Sequence, residues 1–110
     1  MVTTAPVRRG DVFLVNLDPT CGAEIRKTRP CVVVSPDELN THLRTFIVAP
    51  LTTGSHSYPF RLPCQFRGRT GHVVLDQLRT VDRERLVHRL GRLSSSTLDK
   101  ALAILQEMFS

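Results

Sequence analysis

The chain has 110 residues, the size of one ordinary domain, so a single core and a single site are expected. Its 41% hydrophobic and 23% charged residues exclude global disorder and fibrous classes. A net charge of +5 makes polyanions the natural partners: nucleic acid, an acidic protein or, more weakly, a membrane surface. The bland alternative is an ordinary solvated basic surface. Thirteen of the fifteen cations are Arg, whose rigid fork of donors suits phosphate and whose plane stacks on bases.

Met1 to Arg9 reads as a polar arm, in which M-V-T-T-A-P-V-R-R has no apolar signal region, so the cytosol is the expected compartment. Asp11 to Leu17 reads as a first strand, broken by Asp18-Pro19 and Cys21-Gly22 into a loop that runs to Pro30. Cys31 to Ser35 is continuously apolar, as a strand buried on both faces would be, and Pro36-Asp37-Glu38 starts a turn or one helical turn. Thr45 to Ala49 is a third strand, expected to end at Pro50, before a polar loop at Thr52-Thr53-Gly54-Ser55.

Tyr58 to Leu62 is a short strand candidate, and Arg67 to Gly71 a hairpin tip that leads into His72 to Leu75. Val87 to Leu93 is a further short strand. Ser96-Thr97-Leu98-Asp99 resembles a capping box with Asp in place of Glu, and Leu98, Leu102, Leu105 and Phe109 recur at helical spacing, widened by Ala101, Ile104 and Met108. That helix is expected to pack on a sheet or at a subunit contact. Five or more strands and one closing helix suit a mainly β, partly open small barrel in one domain over residues 1–110.

The chemistry-bearing residues gather on loops at strand ends. Glu24, Arg26, Lys27, Thr28 and Arg29 share the first loop, Thr52 and Thr53 the second, and Asp76, Gln77 and Arg79 follow the fifth strand. Pro30 pins the loop exit and so holds Arg29 at the mouth of a buried strand. Against this stand plainer roles: Glu24 with Arg26 or Arg29 as a loop salt bridge, Thr52 and Thr53 as turn formers, and Asp76 as a cap on its own backbone.

Tyr58 and Phe60 flank Pro59 near the second loop and suit stacking on splayed bases, with core packing as the rival. Phe13, Phe46 and Phe109 read as core. His42, His56, His72 and His88 show no metal-ligand spacing, and His56, beside the second loop, is the histidine to test as an acid. Cys21, Cys31 and Cys64 form neither a disulfide framework nor a C-x-x-C pair and read as reduced small hydrophobes.

Four blocks, G-D-V-F-L-V-N-L-D-P, G-A-E-I-R-K-T-R-P-C-V-V-V-S-P, I-V-A-P-L-T-T with Y-P-F, and L-D-Q-L-R-T-V-D, resemble in order those of the MazF/PemK-like toxins of bacterial toxin–antitoxin modules. The resemblance covers about Gly10 to the end. It implies an SH3-like β-barrel with a C-terminal helix, a homodimer, and cleavage of single-stranded RNA at a short sequence. It also implies that Arg29, of the R-P pair, and Thr52, with Thr53 beside it, carry the chemistry. Some members place an Arg two residues before the position of Asp76, where this chain has Val74.

RNA supplies its own nucleophile in the 2′-OH, so neither metal nor cofactor is required. Arg29 suits stabilisation of phosphoryl charge, Thr52 a second donor, and Glu24, then Asp76, the proton acceptor. Arg26, Lys27, Thr28, Thr53, His56, Tyr58, Phe60, Gln77 and Arg79 are the expected RNA-binding residues. A cognate antitoxin with an acidic, partly disordered tail is the expected partner. The rival is a non-enzymatic toxin of the same fold that binds a protein such as gyrase; those relatives use a C-terminal Trp, and this chain ends Q-E-M-F-S with no Trp.

Overall fold

A computed structural model describes residues 6–25, 27–54 and 58–110. Among the described residues seven strands form one antiparallel sheet that does not close, with a single long helix after the last of them. In chain order they are β1 (Asp11–Asn16), β2 (Thr28–Val33), β3 (Thr45–Thr52), β4 (Arg61–Phe66), β5 (Arg69–Val74), β6 (Arg79–Asp82) and β7 (Leu86–Arg92). A one-turn helix, α1 (Asp37–Asn40), follows β2, and α2 (Ser95–Met108) ends the fold. The sheet order is β4-β5-β3-β2-β1-β7, with β6 on β3.

Two apolar clusters lie on opposite faces of β2. Phe13, Val15, Cys31, Val33, Phe46 and Val48 fill one, and Val12, Val32, Val34, Ala49, Leu51 and Val73 fill the other. Because side chains alternate along a strand, a strand with apolar residues at every position buries both faces, as Cys31, Val32 and Val33 do. Burial pushes the Cys31 thiol up to about 12, so it stays protonated inside the core. All three cysteines are free.

β3 runs through Pro50 to Thr52 instead of ending before it. On one side it pairs β6 from Thr45 to Val48 and then β5 from Leu51, so Pro50 falls where the partner changes and its missing N–H removes no ladder bond. β2 likewise begins three residues earlier than its apolar run, because Thr28, Arg29 and Pro30 pair with β1. β4 lies at Arg61–Phe66 rather than Tyr58–Leu62. The hairpin tip narrows to Arg67 and Gly68, whose φ of 53° and 78° make the left-handed two-residue turn that matches strand twist.

The capping residue of α2 is Ser94, whose hydroxyl accepts from the Thr97 N–H, so the helix starts ahead of the predicted Ser96 box. Its buried seam runs through Ala101 with Ile104, Leu105 and Met108 against the sheet. Phe109, expected in the core, stands beyond the last turn and is 74% exposed. At the other end Val7 is buried, and Arg9 bonds Asp37 Oδ1 through its N–H and the Val34 carbonyl through Nε. Residues 7–9, expected to belong to the arm, are therefore part of the fold.

Candidate active site

The β2–β3 register sets the site. Cys31 pairs with Pro50, the last pair of that ladder, and Arg29 and Thr52 each lie two residues beyond it. Both line a cleft of about 400 Å³, together with Thr53, Thr70, Arg67 and Arg69 over an apolar floor that includes Leu51, Phe66 and Leu90. Its described ionic lining is wholly cationic: Arg29, Arg67 and Arg69. Three guanidiniums and three threonine hydroxyls without a carboxylate form a receptor for anionic oxygens.

Two features of β5 fix the rim of this cleft. Gly71 lies so close to β3 that a Cβ there would overlap the Thr52 carbonyl oxygen and stand 2.8 Å from its carbonyl carbon. The neighbouring His72, buried, pairs with Thr52 across the ladder and donates from Nδ1 to the Gly54 carbonyl at 3.0 Å. A carbonyl only accepts, so this bond fixes the proton on Nδ1 and ties down the segment after Thr52.

A second hollow, of about 250 Å³, is lined by Glu24, Asp76, Gln77 and Arg79 with Leu17, Ile25, Pro50 and Leu78. Glu24 Oε1 accepts the Cys21 N–H at 2.6 Å. Gln77 Oε1 accepts the Ile25 N–H at 2.9 Å. Arg79 donates to the Leu17 carbonyl and, at 3.4 Å, to that of Pro19. Asp76 is gripped at both oxygens by Arg61, at 2.9 and 3.0 Å, and the same guanidinium lies 4.8 Å above the Tyr58 ring centroid.

That grip holds the Asp76 carboxyl below its ordinary range, chiefly through the Arg61 hydrogen bond and against partial burial. A carboxyl whose pKa is lower in the folded than in the unfolded chain adds stability above its unfolded pKa, and that stability is lost as pH falls through the folded value. Asp76→Asn is therefore expected to melt below wild type at neutral pH, with the gap closing as pH drops through the carboxylate range. The gap should be small, because the Asp76 side chain is 40% exposed. A Tm difference constant from neutral to acid pH would refute the assignment.

The expected site residues thus divide. Arg29, Thr52 and Thr53 meet in the cationic cleft, whereas Glu24, Asp76, Gln77 and Arg79 line the second hollow. Lys27 and Thr28 are exposed at the start of β2, Lys27 with a φ of 69°. Tyr58 and Phe60 are 52% and 41% exposed, which rules out the core as their place. They precede β4 rather than alternating along a strand. Arg26 and His56 lie outside the described residues. Arg67, Arg69 and Thr70 were not among the expected site residues; their signal is a pair of cations astride a hairpin glycine, indistinguishable in sequence from turn chemistry. Among the described residues, no three His, Cys, Asp or Glu side chains gather closely enough to hold a metal ion.

An open antiparallel sheet with a terminal helix and a cationic cleft at its strand ends belongs to a defined class. Residues 8–109 match the family of PemK-like, MazF-like toxins of type II toxin–antitoxin systems, and the chain belongs to that family. Endoribonuclease MazF of Staphylococcus epidermidis is 35% identical over 107 residues, covering 89% of each chain. Endoribonuclease PemK of Escherichia coli is 34% identical over 110 residues, covering 94% of this chain and 83% of that protein. The crystal structure of MazF from Deinococcus radiodurans aligns with a TM-score of 0.84 at 25% identity, over 96% of this chain and 97% of that one. A mycobacterial endoribonuclease solved with its cognate antitoxin shares the fold, with a TM-score of 0.76 at 23% identity over 94% of this chain and 93% of that one.

Proposed function

We propose that this chain is a metal-independent, sequence-specific endoribonuclease that cleaves single-stranded RNA by attack of the 2′-OH on the adjacent phosphate. As the toxin of its module it blocks translation and growth. The observation that carries the reading is the cleft that Arg29 and Thr52 line together, amid further guanidiniums and no described carboxylate. The 2′-oxygen gives up its proton and attacks phosphorus as the bond to the 5′-oxygen breaks, and the departing 5′-oxygen takes a proton from water, leaving a 2′,3′-cyclic phosphate and a 5′-hydroxyl. Arg29 balances the charge that builds on the phosphoryl oxygens, and Thr52 donates a second hydrogen bond. Arg67 and Arg69 hold flanking phosphates, and the exposed Tyr58 and Phe60 offer rings to unstacked bases.

Both carboxylates expected to take the 2′-proton line the second hollow rather than the Arg29–Thr52 cleft, so the RNA must span the two hollows for either to act, and of the two Glu24 is the better suited. Among the described residues Glu24 is bound at Oε1 by Cys21, whereas Arg61 binds both oxygens of Asp76 and lowers its basicity. The working unit is a homodimer, and its inhibitor is an antitoxin whose acidic tail competes for the cationic cleft. Purified protein incubated with a long RNA of defined sequence in EDTA should yield discrete fragments bearing 5′-hydroxyl ends. Loss of all cleavage on chelation, or an RNA left intact by wild type, would overturn the reading.

A further inference from the structure

The segment from Leu75 to Arg79 sits between the two loops of the site. A 3₁₀ turn at Leu75–Gln77 rotates successive side chains away from one another, so neighbours in sequence reach different loops. Asp76 takes Arg61, at the end of the second loop, and Gln77 takes Ile25, in the middle of the first. The neck of the first loop is already closed: the Leu17 N–H donates to the Lys27 carbonyl and the Lys27 N–H to Asp18 Oδ1, both at 2.9 Å. Arg79 and Arg85 brace its first residues through the carbonyls of Leu17, Pro19 and Asn16. Between neck and tip, the Gln77 carbonyl meets the peptide N–H that directly follows Glu24.

We infer that Gln77 is a positioning residue: its side-chain carbonyl, by holding the Ile25 N–H, sets where the Glu24 carboxylate points. Ile25 packs partly against the core, so an apolar contact and one hydrogen bond pin this residue in register. Gln77 then acts as an acceptor toward protein, not as a donor toward RNA, and its part in catalysis passes through Glu24. The inference rests on the proposed RNA cleavage, with Glu24 as proton acceptor. Misplacing a reacting group by about 1 Å can cost about 100-fold in rate, so a single backbone hydrogen bond at this point has leverage.

Two substitutions separate the roles. Gln77→Glu keeps an oxygen acceptor and removes the amide donors; Gln77→Leu keeps the bulk and removes both. Gln77 is only partly buried, so both variants should fold, which a thermal melt checks. For each, the exchange rate of the Ile25 amide hydrogen is measured by NMR, and kcat and KM on an RNA carrying the mapped cleavage sequence. Gln77→Leu should lose Ile25 protection and about 10- to 100-fold in kcat with little change in KM, while Gln77→Glu keeps the protection and most of kcat. The inference fails if Gln77→Leu leaves Ile25 protected and kcat intact. It fails equally if Gln77→Glu loses as much kcat as Gln77→Leu while Ile25 stays protected, because the amide donors would then be serving RNA. An inactive wild type would sink the ribonuclease reading itself, and the exchange rates alone would still decide whether Gln77 holds the loop.

Discussion

Arg29→Ala should lower kcat on RNA by about 10²–10³-fold, the effect of removing one preorganised donor to developing charge, worth about 2.7–4 kcal/mol of barrier. The Arg29 side chain is exposed at the start of β2, so the Tm should move little while activity collapses. Arg29→Lys should recover only part of the loss, because an ammonium keeps the charge but not the two-pronged donor geometry. Full activity in Arg29→Ala would place the chemistry elsewhere in the molecule.

Gly71→Ala should damage both fold and activity. The added methyl has no free volume, since it points at the backbone of Thr52 rather than at the end of a flexible side chain. β3 and β5 must separate where they pair through Leu51 and Thr52, at a cost of about 1–3 kcal/mol or more. The same displacement carries Thr52 away from Arg29, so residual folded protein should also cleave poorly. Denaturant unfolding and cleavage rates on the same preparation test both effects, and a variant as stable and active as wild type would show that β3 and β5 tolerate a wider gap.

Much of the fold was legible because burial leaves a simple trace. D-V-F-L-V-N-L and C-V-V-V-S read as strands, and both lie in the sheet. β6 escaped notice: R-T-V-D has one apolar side chain, Val81, and is a strand only because β3 sets Val81 opposite Phe46. The two prolines misled for a related reason. Pro30 and Pro50 are penalised in a strand only where a neighbour needs their N–H, and pairing partners are not written in the local sequence.

Part of the candidate site was legible as well. Arg29 and Thr52 could be named from the R-P pair and the threonines after the third strand, and both line the cleft. The division of the remaining residues between two hollows was not legible, because it depends on which way the turn at Leu75–Gln77 faces each side chain. Arg67 and Arg69 were hidden by a different ambiguity. A cation beside a hairpin glycine reads as solvated turn chemistry until the hairpin is seen to fold over the cleft.

The cleft is assembled from chain positions far apart in order of synthesis. Arg29 leaves the ribosome early, Thr52 midway, and Arg67, Arg69 and Gly71 only after more than half the chain has been made. A nascent chain halted before β5 has neither the hairpin that walls the cleft nor the strand that clamps Thr52. The cleft is therefore complete only once β5 has joined β3 in the sheet.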